Sequence, residues 1–452
     1  MTTPPAAPRL PRLTKFIYGL GDWGNTTTST LQGFFFAFFL TDVAGLAPRY
    51  AAVVLLIGGA WDALNDPLIG VLADRVRSRW GRRRPIFLAG ALPLAATFVL
   101  LWWVPPWRDP LALTAYYALA YVLFDTAFTL LTVPYSALTA ELTDDYDERT
   151  SLTGYRMGVS MAGGLVAAVA LPTLVALFPQ PRTGYLVTAA LFGGLAALPY
   201  LLLFAAIRER RQDVNAQPLN LVSGFRRTFR NRPFRFAVGI YLTAWVTVSL
   251  VAALLQYYLT YWMAMADQLE VVLGLVQAAA LICIPIVVWM SGRWGKQRAY
   301  VVGLVWWAAV MLALAFLPPS ARTLAYVLGA LAGLGIAAAH VVPWSIVPDV
   351  LEVEELETGE RHEGAYYGYM IFVQKVGSAL ALACVQWILD LSGYVAGAAQ
   401  PASALLAIRV FIGPVPAVLL TISMLLAWRF PINRERHAQL RAALAEKRAG
   451  AP

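Results

Sequence analysis

Charge is scarce in this chain. Of 452 residues, 13% are Asp, Glu, Lys or Arg and 59% are hydrophobic, whereas soluble domains run near 25% charged; a soluble globular protein is excluded. Histidine is scarcer still: His340, His362 and His437 are all there are, which leaves little general-base equipment. The two cysteines, Cys283 and Cys384, lie in apolar runs without metal or redox spacing and read as small buried residues. No G-x-S-x-G, no Walker A and no metal-spaced His/Cys/Asp grouping occurs. An enzyme is therefore not expected, nor a cofactor. Residues 1–14 carry arginines among Pro and Ala but no apolar core ahead of a small-residue cleavage site, and read as a cytoplasmic tail. The net charge of +9 sits in short loops between apolar runs, not in a separate basic domain. Loop arginines of this kind follow the positive-inside rule, so no nucleic-acid partner is expected.

What the chain has in abundance is apolar sequence of bilayer-spanning length. Such segments fall near 16–40, 50–73, 85–104, 111–138, 152–178 and 184–207, then near 235–262, 269–292, 299–318, 321–347, 365–389 and 403–430. The expected fold is all-α and integral to a membrane, with about twelve transmembrane helices. Lys and Arg crowd the N-terminal tail, the 74–84 loop, the 208–235 connection, the 293–298 loop and the C-terminal tail, while alternate loops carry isolated arginines. Both termini are thereby expected in the cytoplasm, in a prokaryotic-type plasma membrane. The polar connection splits the chain into a tail (1–14), a six-helix bundle (15–207), a linker (208–234), a second six-helix bundle (235–431) and a C-terminal tail (432–452).

Internal repetition points to the same division. Ser78-Arg79-Trp80-Gly81-Arg82-Arg83-Arg84 is echoed by Gly292-Arg293-Trp294-Gly295-Lys296-Gln297-Arg298, and Val133-Pro134-Tyr135-Ser136 by Val342-Pro343-Trp344-Ser345. The second helix matches the eighth and the fourth the tenth, an offset that parallel six-helix repeats give. Halves of this kind expose a site alternately to each face of the membrane.

Chemistry concentrates in a few buried polar residues. Asp62 and Asp66 lie i, i+4 on one helix face with Asn65 beside them. An intramembrane Asp costs roughly 2.5–3.5 kcal/mol on insertion scales, and a hard cation, Na+ or H+, relieves both desolvation and mutual repulsion. Polar stripes recur at Asp22, Thr26, Ser29 and Gly33, with Asn25 adjacent, and at Asp125, Thr129, Thr132 and Ser136. Lys375, beside Gln374, interrupts an apolar run and needs a carboxylate partner or a lowered proton affinity; Arg156 is the other candidate cation. Bland readings stand beside these: hydroxyls bond back to their own helix, and Asp22 lies near enough to the cytoplasmic end to meet Lys15. The arginine loop is expected to orient the chain and to hold a cytoplasmic gate by salt bridges to the acidic loops after the fourth and tenth helices, through Arg79, Arg82, Arg83, Arg149, Arg293 and Asp349. Lipid headgroup binding is its secondary reading.

Several ordered blocks resemble the glycoside–pentoside–hexuronide:cation symporters of the major facilitator superfamily: Tyr18-Gly19-Leu20-Gly21-Asp22, Thr41-Asp42-Val43-Ala44-Gly45-Leu46, Trp61-Asp62-Ala63-Leu64-Asn65-Asp66-Pro67, Val347-Pro348-Asp349 and Val373-Gln374-Lys375-Val376-Gly377-Ser378. The resemblance implies a fold of twelve helices in two six-helix bundles. It places a cation site on Asp62, Asn65, Asp66 and Thr129, with the coupling ion, Na+ or H+, at Asp62 and Asp66, and makes Lys375 the link to the substrate. The sugar side departs: the two carboxylates of the melibiose-type branch fall on Thr26 and Thr132, its stacking tryptophans on Ser136 and His340, and its pocket arginine at or beside Arg156. Asp22, Thr26, Asp125, Thr132, Arg156, His340, Trp344 and Lys375 are thus expected to line the substrate cavity. The expectation is a cation-coupled symporter of a small glycoside, pentoside or hexuronide, functional as a monomer. A lysophospholipid transporter of the same fold and a non-transporting receptor or scaffold are the alternatives.

Overall fold

A computed structural model describes residues 10–142, 146–207, 228–358 and 363–449, and every regular element among them is helical. The helices are α1 (Arg12–Leu31), α2 (Pro48–Arg75), α3 (Arg84–Trp102), α4 (Pro110–Leu142), α5 (Tyr146–Val175), α6 (Pro181–Ala206) and α7 (Arg232–Tyr257). They continue with α8 (Leu269–Trp294), α9 (Lys296–Phe316), α10 (Arg322–Thr358), α11 (Glu363–Leu391), α12 (Ala402–Ile412), α13 (Pro414–Trp428) and α14 (Arg434–Ala449). Proline sits in the first turn of α2, α3, α6, α7 and α13, where its missing N–H costs no helical bond. Asn231 caps α7 by accepting from the Phe234 N–H at 3.2 Å.

Among the described residues, eleven helical segments are long and apolar enough to cross a membrane. The run beginning with α1 is not one of them. It carries Asp22, Asn25 and the hydroxyls Thr26 to Thr28, and these polar groups hold down the apolarity that marks the others. The segment expected at 403–430 is interrupted at Gly413, whose φ of −119° and ψ of −83° part α12 from α13. The expected C-terminal tail is helical over Arg434–Ala449 and packs against α10.

The chain divides into two compact units, Met1–Asn215 and Ala216–Pro452; residues 208–227 of the expected linker lie outside the described residues. Inside the first unit α1 packs on α5 and α6, α2 on α4, and α3 on α4 and α6. Inside the second, α7 packs on α11 and α13, α8 on α10, and α9 on α10 and α13. Each pairing recurs six membrane-spanning segments later.

The repeat extends to single backbone atoms. α1 runs on into π-turns that close at Phe39–Val43, and α7 into one at Tyr258–Trp262. In the first, the N–H groups of Ala44 and Leu46 donate to the carbonyls of Phe39 and Leu40, both at 2.9 Å; in the second, those of Met263 and Met265 donate to Tyr258 and Leu259 at 3.0 and 2.8 Å. Between the two donors the chain is left-handed in each case, at Gly45 (φ 77°) and at Ala264 (φ 51°). The echoed loops behave alike, with Gly81 at φ 106° and Gly295 at φ 88°. An L side chain is disfavoured at such φ values, which accounts for a glycine in both copies.

Candidate functional site

Among the described residues, one close approach and a set of side-chain hydrogen bonds tie α2 to α4. A Cβ at Gly58 would land inside the ring of Tyr121, so glycine there lets the backbones approach. Trp61 Nε1 then donates to Thr126 Oγ1 at 2.9 Å. Asn65 Nδ2 donates to Asp125, at 3.2 Å to the main-chain carbonyl and 3.1 Å to Oδ2. Thr129 Oγ1 donates to Asp66 Oδ1 at 3.3 Å. From Gly58–Tyr121 to Asp66–Thr129 the contacts rise along both helices, with Thr126 and Asp125 meeting Trp61 and Asn65 between them, so α2 and α4 lie parallel here. α2 also exposes Leu64, Leu68 and Leu72, an apolar stripe four residues apart. Asn65 and Thr129 are each 1% exposed and Asp125 4%; Asp62 and Asp66 are half-buried. Asp62 and Asp125 both lie within electrostatic reach of the Tyr121 hydroxyl.

The four residues expected to hold a cation are thus on two packed helices, with Asp125 joining them. Asp125, whose stripe spacing points to the substrate, bonds Asn65, one of the residues expected to hold a cation. Carboxylate, carboxamide and hydroxyl oxygens gathered in a buried setting suit a hard monovalent ion. Because Gly58 sets the helix spacing, Gly58→Ala is expected to destabilise the protein by about 1–3 kcal/mol, the usual effect of overpacking. Denaturant unfolding in detergent checks the effect.

α1 and α5 carry a second polar group. Arg156 holds Asp22 with two hydrogen bonds, Nε to Oδ2 at 2.6 Å and Nη2 to Oδ1 at 3.2 Å. The guanidinium also lies over the ring of Tyr135, 4.7 Å from its centroid, and Tyr135 Oη donates to the Tyr18 carbonyl at 2.7 Å. Lys15, the alternative partner for Asp22, donates to Ser151 Oγ at 3.1 Å. Thr26 Oγ1 lies 2.6 Å from Ser160 Oγ. Thr132 is half-buried, three residues beyond Thr129 on α4.

In the second unit, sequence reasoning named His340, Trp344 and Lys375 but not the aromatics around them. The His340 ring is 4.8 Å from that of Trp245, and its Nδ1 lies 2.8 Å from the Ile336 carbonyl of its own helix. Trp344 stacks on Tyr367 (5.9 Å, 16°) and meets Tyr241 edge-on (5.3 Å, 72°). Tyr241 Oη donates to Gln374 Oε1 at 2.6 Å, beside half-buried Lys375. Tyr241 and Trp245 recur at i, i+4 on α7, a spacing the apolar run around them conceals.

At the ends expected in the cytoplasm, Arg83 is 8% exposed and donates from Nη1 to the Pro134 carbonyl at 2.9 Å. Arg84 donates to the Phe204 carbonyl through Nε and Nη2, and Gln297 to that of Phe430 at 2.7 Å, so the echoed loops are anchored in their own units, at the end of α6 and just beyond the end of α13. Lys296 Nζ bonds Asp349 at 2.6 and 2.8 Å and the Ser345 carbonyl at 2.6 Å. His437 of α14 lies 3.5 Å from Asp349 and 3.0 Å from Glu352. Arg79 stacks on Trp80, Arg82 is half-buried, and Arg293 lines a cavity of about 1500 Å³ with Asp349 and His437. The Arg149 side chain, also expected at the gate, lies outside the described residues.

A family model described as "MFS/sugar transport protein" matches residues 17–434. An uncharacterized symporter of Synechocystis, sll1374, is 32% identical over 97% of this chain and 97% of its own. Sodium-dependent lysophosphatidylcholine symporter 1 of Gallus gallus is 27% identical over 97% of this chain and 90% of its own. The nucleoside transporter NupG superimposes with a TM-score of 0.62 at 13% identity, over 92% of this chain and 97% of its own. A bacterial homologue of the human drug peptide transporters PepT1 and PepT2 does so with a TM-score of 0.66 at 10% identity, over 93% and 99%. At these identities the two structures share the fold alone.

Proposed function

This chain belongs to the MFS/sugar transport protein family, and on that premise we propose that it is a sodium-coupled symporter of a lysophospholipid-type amphiphile, working by alternating access. The coarser statement needs no proposal: the family and its relatives are multi-pass symporters that move a small molecule with a cation. Sodium is assigned to Asp62, Asn65, Asp66 and Thr129, and the observation that supports this is the row of oxygen-bearing side chains between α2 and α4, with Asn65 and Thr129 buried and the two acids half-buried. The substrate assignment is supported by the two acids of the first unit nearest to the lost sugar-holding positions. Asp22 is locked to Arg156 by two bonds and Asp125 is bonded to Asn65, while Thr26 and Thr132 occupy the positions themselves. With hydroxyls in place of those carboxylates, an amphiphile suits the surface better than a polyol does. The relatives named as sodium-dependent lysophosphatidylcholine symporters agree with this choice. Arg156, His340, Trp344 and Lys375 contact the substrate, and the protein acts as a monomer in the plasma membrane with both termini in the cytoplasm. A small glycoside, pentoside or hexuronide is the second reading, favoured by the family's description as sugar transport.

The test uses purified protein in liposomes, with labelled lysophosphatidylcholine, a glycoside, a pentoside and a hexuronide, each with and without an inward Na+ gradient. Back-extraction with albumin removes lipid left in the outer leaflet, so that only translocated lipid is counted. Gradient-dependent lysolipid uptake that survives excess free sugar is the expected result. Sugar accumulation with inert lysolipid moves the substrate to the second reading. Flux indifferent to the gradient sinks the coupling, and no flux of any probe returns the protein to the receptor reading.

A further inference from the structure

We infer that Asp125 is a positioning residue for the coupling ion: it holds the Asn65 carboxamide in the one orientation that presents oxygen, not nitrogen, toward an ion at Asp62 and Asp66. The inference rests on the assignment of the ion site made above and deepens it. A carboxamide is two-faced, with an acceptor oxygen and a donor nitrogen on two branches of one planar carbon. Which branch meets a cation decides between attraction and repulsion, and a half-turn of the side chain exchanges them.

The surroundings of Asn65 fix the choice chemically. The atoms at 3.1 and 3.2 Å from its nitrogen are a carboxylate oxygen and a main-chain carbonyl, both of Asp125. A main-chain carbonyl only accepts, so the group opposite it must be the amide NH2. Oδ1 is then turned away from Asp125. Asn65 is 1% and Asp125 4% exposed, so water does not compete for these bonds. Parallel packing of α2 on α4, permitted by Gly58, brings the pair together across sixty residues of sequence. Thr129, one turn beyond Asp125 on the same face of α4, meets Asp66 one residue beyond Asn65. α4 thus supplies one group that touches an ion-site carboxylate and one that aims the amide.

The experiment reads Na+ itself. Binding of radioactive Na+ to the purified full chain is titrated in wild type, Asp125→Ala and Asp125→Asn, with Li+ as competitor. Asp125→Ala keeps the main-chain acceptor but loses the carboxylate, and the half-saturating Na+ concentration is expected to rise by about tenfold, the scale of one hydrogen bond to a charged group. Its preference for Na+ over Li+ should narrow, because a loosened amide no longer fixes the cavity. Asp125→Asn restores an acceptor without the charge and is expected to stay within about threefold of wild type. Should Asp125→Ala fail to give monodisperse protein, Asp125→Leu, of similar bulk and unable to accept, takes its place with the same expectation. An Asp125→Ala titration like that of wild type overturns the inference. Asn as weak as Ala overturns it too, since Asp125 would then act through its charge and not by aiming the amide. A wild-type protein that binds no Na+ overturns the ion assignment and the inference with it, an outcome recognisable before any variant is made.

Discussion

Replacing either acid of α2 by its amide is expected to abolish driven transport while leaving the protein folded. Asp62→Asn and Asp66→Asn each remove a carboxylate from a helix that crosses the membrane. An ionised Asp at that depth costs roughly 2.5–3.5 kcal/mol, and a bound cation offsets that cost. An amide avoids most of the desolvation penalty, so thermal stability in detergent should be unchanged or higher. Affinity for the ion should fall by an amount comparable to the lost offset, about a hundredfold at 1.4 kcal/mol per factor of ten. At ordinary Na+ gradients, uptake then drops to the level of empty liposomes. Stability and flux moving in opposite directions is what marks a functional acid; a structural acid would lose both. Undiminished gradient-driven uptake in both variants would place the ion elsewhere.

The α2 acids were legible in the sequence because their anomaly is local: a charge within an apolar run has an insertion cost whatever its neighbours are. The repeat was legible for a related reason, since Gly81 and Gly295 stand where the backbone takes a positive φ that other residues resist. Partnerships were not. Asp22 and Arg156 lie 134 residues apart, and nothing in either helix indicates that α1 packs on α5. The stripe through Asp125 and Thr132 was real as a helix face, but a stripe states only which residues share a side. It took the position of α4 against α2 to show that Asp125 looks toward Asn65. Tyr241 and Trp245 escaped notice because an aromatic in an apolar segment carries no insertion cost, and its role emerges only from the ring it meets. The break at Gly413 was invisible for a similar reason, since glycine and proline are tolerated in membrane helices and the apolar run continues across them.

Arg156→Ala is expected to destabilise the protein more than any substitution in the α2–α4 row, and its partner is the key to why. Removing the guanidinium strands the Asp22 carboxylate, whose side chain is 4% exposed, and breaking a buried pair in this way costs about 3–5 kcal/mol. Asp22→Asn should cost less, because Arg156 is 18% exposed at its side chain and keeps the faces of Tyr135 and Tyr18. The double variant Asp22→Asn/Arg156→Gln leaves no buried charge and allows an amide–amide contact, so it should recover more than half of the loss seen in Arg156→Ala. Denaturant unfolding in detergent of the wild type, both singles and the double measures the coupling directly. Additive losses in that cycle would show that the two side chains stabilise the fold separately. Recovery of stability without recovery of uptake is the expected pattern. It would separate the ion pair's service to the α1–α5 contact from the proposed service of Arg156 to the substrate, because an amide fills the space but offers a substrate phosphate no positive charge.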